Sequence, residues 1–125
     1  MNWQELTLNL LRIFAGFLMT PHGAQKLFGV LGSEARPVGS LTWFAGIIEF
    51  FGGLLVMFGL GTRWAAFILS GQMAVAYWMA HAFEAPLPIQ NRGELACLYC
   101  FVFLFLWANG GGRFSLDGLR KRRKV

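Results

Sequence analysis

His22, Lys26, Glu49, His81 and Glu94 are ionisable residues set inside, or at the ends of, long apolar runs. A charge in apolar surroundings is expensive, and such residues mark function by default. An unpaired one shifts its pKa toward the neutral form. His22 and Lys26 are four residues apart and share one face if their segment is helical. Glu49 lies roughly 9 Å into its own apolar run, at about 1.5 Å per helical residue. Lys26 and Glu49 carry opposite charges, and either histidine could pair with Glu49 or Glu94. We expect Glu49 to be the buried centre, partnered by Lys26, His22 or His81. Such a group can donate, accept and relay protons. The bland alternative is an ion pair that only fixes helix packing.

Other polar residues have quieter readings. Gln72, mid-run, reads first as an interhelical hydrogen-bonding group. Arg12 is close enough to one end of its run to snorkel to the surface. Cys97-Leu98-Tyr99-Cys100 has the spacing of a thiol redox pair. A redox cysteine sits exposed at a helix N-terminus, however, and these lie within an apolar run, where the thiols stay protonated and inert. No Glu-x-x-His or His-x-x-x-His pair occurs, so no metal site is expected. Phosphate loops, dinucleotide fingerprints and a nucleophile elbow are missing too.

The elements that position these groups are apolar stretches at about 6–28, 43–60, 64–83 and 94–108. A bilayer-spanning helix needs roughly 17–25 such residues. Composition agrees: 56% of the 125 residues are apolar and only 14% charged, where soluble domains carry about 25% charge. The expected fold is all-α, an antiparallel bundle of four transmembrane helices in one domain. Residues 29–39 read as a loop, and Gly59-Leu60-Gly61-Thr62-Arg63 as a tight turn. Ala85-Pro86-Leu87-Pro88 cannot continue a helix. Gly110-Gly111-Gly112 ends the fourth stretch. Pro21 removes one backbone hydrogen bond beside His22 and can kink the first helix. Gly16, Thr20 and Ala24, with Gly52 and Gly53, allow close helix contact and leave little room for a channel.

Residues 109–125 carry six basic side chains against Asp117, which accounts for the whole net charge of +5. A basic tail beside apolar runs is a topology signal: both termini are expected in the cytoplasm, of an inner-membrane protein. The tail can also attract anionic lipid. Nucleic acid is not an expected partner, since no stacking platform accompanies the basic run. A signal peptide is not expected, because Arg12 interrupts a run too long for one.

Several segments together carry a family resemblance. They are Arg12; Pro21-His22-Gly23-Ala24-Gln25-Lys26-Leu27-Phe28-Gly29; Glu49-Phe50-Phe51-Gly52-Gly53-Leu54-Leu55; and Gly59-Leu60-Gly61-Thr62-Arg63. His81, Glu94-Leu95-Ala96 with Tyr99, and Gly110-Gly111-Gly112-Arg113-Phe114-Ser115-Leu116-Asp117 complete them. In order and spacing the chain resembles the DoxX family of small bacterial membrane proteins. The resemblance implies a four-helix membrane bundle and an association with quinone-coupled oxidation, thiol and oxidative-stress complexes, or the assembly of other membrane proteins. The family's His-Gly and Lys map to His22, Gly23 and Lys26, and its two glutamates to Glu49 and Glu94. The Cys pair is outside the pattern, and Gly111 stands where Pro is frequent.

The leading expectation is an oxidoreductase subunit that handles quinone, in a polar pocket in the outer half of the bundle. Glu49, His22 and Lys26 are its candidate catalytic residues; His81, Glu94, Gln72 and Tyr99 are its candidate binding residues. None of these carries electrons, so a redox partner subunit is expected, or a homo-oligomer. The alternatives are a non-enzymatic assembly or binding factor and, third, a small-molecule transporter, although no inverted repeat is visible.

Overall fold

The structure is a computed structural model that describes residues 2–123. It is all-α, with no strand among those residues. The helices are α1 (Trp3–Phe28), α2 (Leu41–Phe58), α3 (Thr62–Ala80), α4 (Pro88–Asn91), α5 (Glu94–Asn109) and α6 (Leu116–Arg123).

Local chemistry sets the boundaries. The Asn2 side chain accepts from the Glu5 N–H at 2.8 Å, so α1 begins before the apolar run does. Ser40 caps α2 by accepting from the Trp43 N–H at 3.2 Å. Gly59 ends α2 in the left-handed conformation, which its missing Cβ permits. The third helix stops at Ala80, three residues before the end of its apolar run, and residues 81–84 turn away. Pro21 lies inside α1, which continues through it.

The long helices pack in antiparallel pairs. On α1 and α2, Lys26 meets Glu49 near one end and Arg12 meets Val56 and Met57 near the other. A Cβ on Gly16 would lie 2.5 Å from the Gly53 carbonyl oxygen, and one on Gly23 would fall on the Phe50 backbone. The two helices therefore touch backbone to backbone. Gly23 takes this role where the sequence points to Ala24. On α3 and α5, Ser70 donates to the Cys100 carbonyl at 2.7 Å, and Phe67 meets Trp107. A core of Met19, Val56, Leu69, Met73, Phe103 and Leu106 joins the pairs.

The end that carries the α2–α3 turn is closed by the segment after α5. Arg12 Nη1 donates to the carbonyls of Met57 (2.6 Å) and Val56 (3.1 Å), and Nη2 donates to Asn9 Oδ1 at 3.3 Å. Arg12 is 1% exposed, so it does not snorkel. Instead its cation satisfies carbonyls that the last turn of α2 leaves without helical donors, at the negative end of the helix dipole. Asn9 Oδ1 also accepts from the Phe114 N–H, and Glu5 Oε2 from the Arg113 N–H, both at 3.1 Å. Asp117 accepts from the N–H groups of Gly61 and Thr62, each at 2.9 Å. It thus caps α3, which has no side-chain cap of its own.

Burial raises the Asp117 pKa, but the two backbone donors and nearby Arg120 outweigh it and hold the carboxyl below its ordinary value. Its contribution to stability is then full above about pH 4 and is lost as pH falls further, through the folded-state pKa. Asp117→Ala should cost about 1–2 kcal/mol at neutral pH. Thermal unfolding followed from pH 7 to 3 should show the variant losing less stability on acidification than the parent. Parallel curves would exclude the charged cap.

Among the described residues, α2 alone is both long and apolar enough to cross a membrane. The other long helices miss for different reasons. Helices α1 and α3 have 26 and 19 residues but carry polar side chains turned inward, such as Asn9, Arg12 and Ser70. Helix α5 is apolar but has 16 residues.

Candidate functional site

Contacts between helices set the depth of each polar side chain. Gly23 lies against Gly46 and Phe50, which puts His22 of α1 level with Glu49 of α2. Gly52 lies against Leu69, so Gln72, three residues on in α3, stands level with Glu49, three residues back in α2. Ser70 meets Cys100, and Gly93 lies against Tyr77, which brings Tyr99 of α5 to the same level. His22, Glu49, Gln72 and Tyr99 thus form one polar layer, a residue from each long helix. Lys26 is one turn along α1.

The layer has an electroneutral centre. Lys26 Nζ reaches both carboxylate oxygens of Glu49, at 2.7 and 2.5 Å. The Glu49 side chain is 3% exposed and that of Lys26 24%, so the cation comes in from the edge to a buried anion. This is the expected centre, with Lys26 as its partner. Gly46 gives Lys26 its path, since a Cβ there would lie 2.8 Å from the Lys26 Cβ. His22 contacts Tyr99 edge to face, with ring centroids 6.3 Å apart. Tyr99 is buried, stacks on Phe103 and lies within electrostatic range of Glu49.

Around this closed pair the other polar atoms are open. Gln72 Oε1 is buried and has no hydrogen-bond partner. Among the described residues, neither the His22 ring nitrogens nor the Tyr99 hydroxyl has one either. The layer thus places an acid–base pair beside an acceptor and two groups able to donate, which suits the head group of a small ligand with oxygen atoms.

Two expected members lie elsewhere. His81 Nδ1 pairs with the Asn91 carbonyl at 3.0 Å. Asn91, fully buried, donates from Nδ2 to the Tyr77 hydroxyl and the Ala85 carbonyl, each at 3.1 Å. His81 therefore belongs to a knot that orders residues 81–93. Glu94 is exposed, in a surface depression with Pro88, Arg92 and Leu98. Both lie at helix ends beyond the layer, where α3 and α5 meet through Tyr77 and Gly93. Cys97 and Cys100 are free, and the Cys100 backbone serves the Ser70 hydroxyl. Sequence reasoning missed Asn9 and Asn91, and did not single out Asp117 as a cap. A clue to Asn91 was the Pro-rich connection that needs an internal anchor.

Comparison with known proteins identifies relatives of the chain. A Haemophilus influenzae protein of uncharacterized function is 39% identical over 117 residues, covering 88% of this chain and 87% of that protein. A second uncharacterized H. influenzae protein is 34% identical over 68 residues, 54% of this chain and 45% of its own length. No solved structure matches. The family model for DoxX matches residues 7–82, which hold Arg12, His22, Lys26, Glu49 and Gln72. The chain belongs to the DoxX family.

Proposed function

We propose that this DoxX protein crosses the bacterial inner membrane as an antiparallel bundle of α1, α2, α3 and α5. Both termini are cytoplasmic, and the polar layer in the outer half binds the head group of a lipid-soluble quinone. Surface chemistry supports the membrane setting. The chain exposes 8144 Å², against about 6,700 Å² for a soluble protein of its mass. Phe14, Phe17, Leu18, Phe51, Phe67 and Phe101 are all more than half exposed. Soluble monomers do not leave such contiguous apolar surface to water. The basic residues near the turn end support an inner orientation for that end.

The observation that carries the ligand reading is the unpartnered set around a satisfied ion pair. Polar groups inside a membrane need partners, and Gln72 Oε1, His22 and Tyr99 have none among the described residues. Bound quinone would supply two-electron, two-proton chemistry. Tyr99 and His22 would donate to its oxygens, Gln72 Oε1 would accept from a hydroxyl, and Glu49 would take or return a proton while Lys26 holds it in place. Electrons enter from a redox partner subunit.

The second reading is an assembly or binding factor, in which the pair locks α1 to α2. It is favoured by Lys26 and Glu49 already satisfying each other. Tyr99→Phe separates the two readings. Its hydroxyl has no partner in the fold, so the melting temperature should stay unchanged. Quinone co-purifying in an organic extract, measured by mass spectrometry, should bind about fivefold more weakly. Parent protein that carries only phospholipid would overturn the quinone reading and favour the assembly factor.

A further inference from the structure

A cavity of about 840 Å³ opens at the turn end, far from the polar layer. It lies between the start of α3, the Gly110–Gly112 turn and α6, and Arg63, Arg113 and Lys121 line it. Two carboxylates line it too, but both are committed. Asp117 receives the Gly61 and Thr62 N–H groups, and Glu5 Oε2 receives the Arg113 N–H. The start of α3 is therefore already occupied by Asp117 and is not the site.

The lining holds three cations against these two carboxylates and so is net positive. Among the described residues, neither Arg63 nor Lys121 pairs with a carboxylate. Arg63 extends beside Gly110, where an added Cβ would lie 3.2 Å from its Nε. Lys121 is four residues after Asp117 on α6 and so shares the face that Asp117 fixes to α3. Two cations thus flank one volume, on elements tied together through Asp117. The volume is within the range of small-ligand sites. Trp64, next to Arg63, is 79% exposed, as suits an aromatic at the membrane–water boundary.

We propose that this cavity binds a phosphoryl anion, supplied by the head group of an inner-leaflet anionic phospholipid or by free phosphate. The lipid source rests on the membrane orientation proposed above; the anion site itself does not.

The test is native mass spectrometry of the full chain in detergent, titrated with short-chain phosphatidylglycerol, with short-chain phosphatidylcholine and with inorganic phosphate. Phosphatidylglycerol should bind in preference to phosphatidylcholine. Arg63→Gln and Lys121→Gln should each weaken it about fivefold. Neither side chain holds an ion pair, so both variants should melt with the parent. Binding of inorganic phosphate with the same losses would assign free anion as the ligand. No binding of either anionic probe, or equal binding by parent and variants, would overturn the site. Flotation with vesicles reads membrane insertion separately. A chain that fails to float yet binds phosphate would sink the orientation and keep the site.

Discussion

Lys26→Met should destabilise the protein by about 3–5 kcal/mol, and adding Glu49→Leu should recover most of that loss. The asymmetry follows from where the charges sit. The Glu49 carboxylate is almost wholly enclosed, with Lys26 Nζ on both its oxygens. Removing the cation leaves an anion with no counter-charge in an apolar interior, and it must stay costly or take up a proton. Removing both charges leaves two apolar side chains where apolar packing is the rule. Thermal unfolding of the parent, both single variants and the double variant forms the cycle that isolates the pair. Strictly additive losses would show that the two side chains act independently. The cycle also bears on function. If the pair only locks helices, the double variant keeps every property of the parent. If Glu49 moves protons for a bound ligand, the double variant folds but is inactive.

The long helices, the Pro-rich break and the Gly-rich stop were legible because they rest on local composition and on backbone chemistry. Depth along each helix was legible too, since a residue number and the rise per residue give it. Azimuth was not. Glu94 is exposed, because α5 is apolar around much of its surface and nothing in it marks the side that meets α3, and His81 is taken up by the Asn91 carbonyl. Arg12 shows the same limit. Its distance from the helix end permits snorkelling, and only the register between α1 and α2 reveals that two carbonyls at the end of α2 lie within its reach. Asp117 caps a helix that begins 55 residues earlier in the chain. A cap brought by tertiary contact has no spacing for a sequence pattern to detect. Lys26 and Glu49 were legible because an opposite-charge pair in apolar surroundings has few other ways to be stable.

The two ends of the molecule make different use of polarity. At the turn end, Arg12, Asn9, Glu5 and Asp117 each bond a backbone atom of another segment and so hold the helices in register, while Arg12 Nε and Thr62 Oγ1 stay buried without a partner. At the polar layer, Glu49 is satisfied by a side chain while the His22 ring nitrogens, Gln72 Oε1 and the Tyr99 hydroxyl have no partner among the described residues. On the quinone reading proposed above, the register at which α1 meets α2 becomes a functional matter.

That register depends on Gly23. Gly23→Ala should cost about 3 kcal/mol and disturb the layer as well. The added Cβ would fall on the backbone of Phe50 and lie 2.7 Å from the Gly46 carbonyl oxygen. Both are main-chain atoms of a regular helix, so no rotamer change relieves the clash and α1 must move off α2. Lys26 is three residues away and touches Gly46, so separation would also stretch its bond to Glu49. The matched control is Gly71→Ala in α3. Its Cβ meets nothing within 4 Å, so it should stabilise the helix by about 0.5–1 kcal/mol through backbone entropy alone. Thermal unfolding of the two variants should therefore shift in opposite directions. A Gly23→Ala protein that melts with the parent would show that α1 and α2 are not held by backbone contact, and the basis for placing His22 level with Glu49 would go with it.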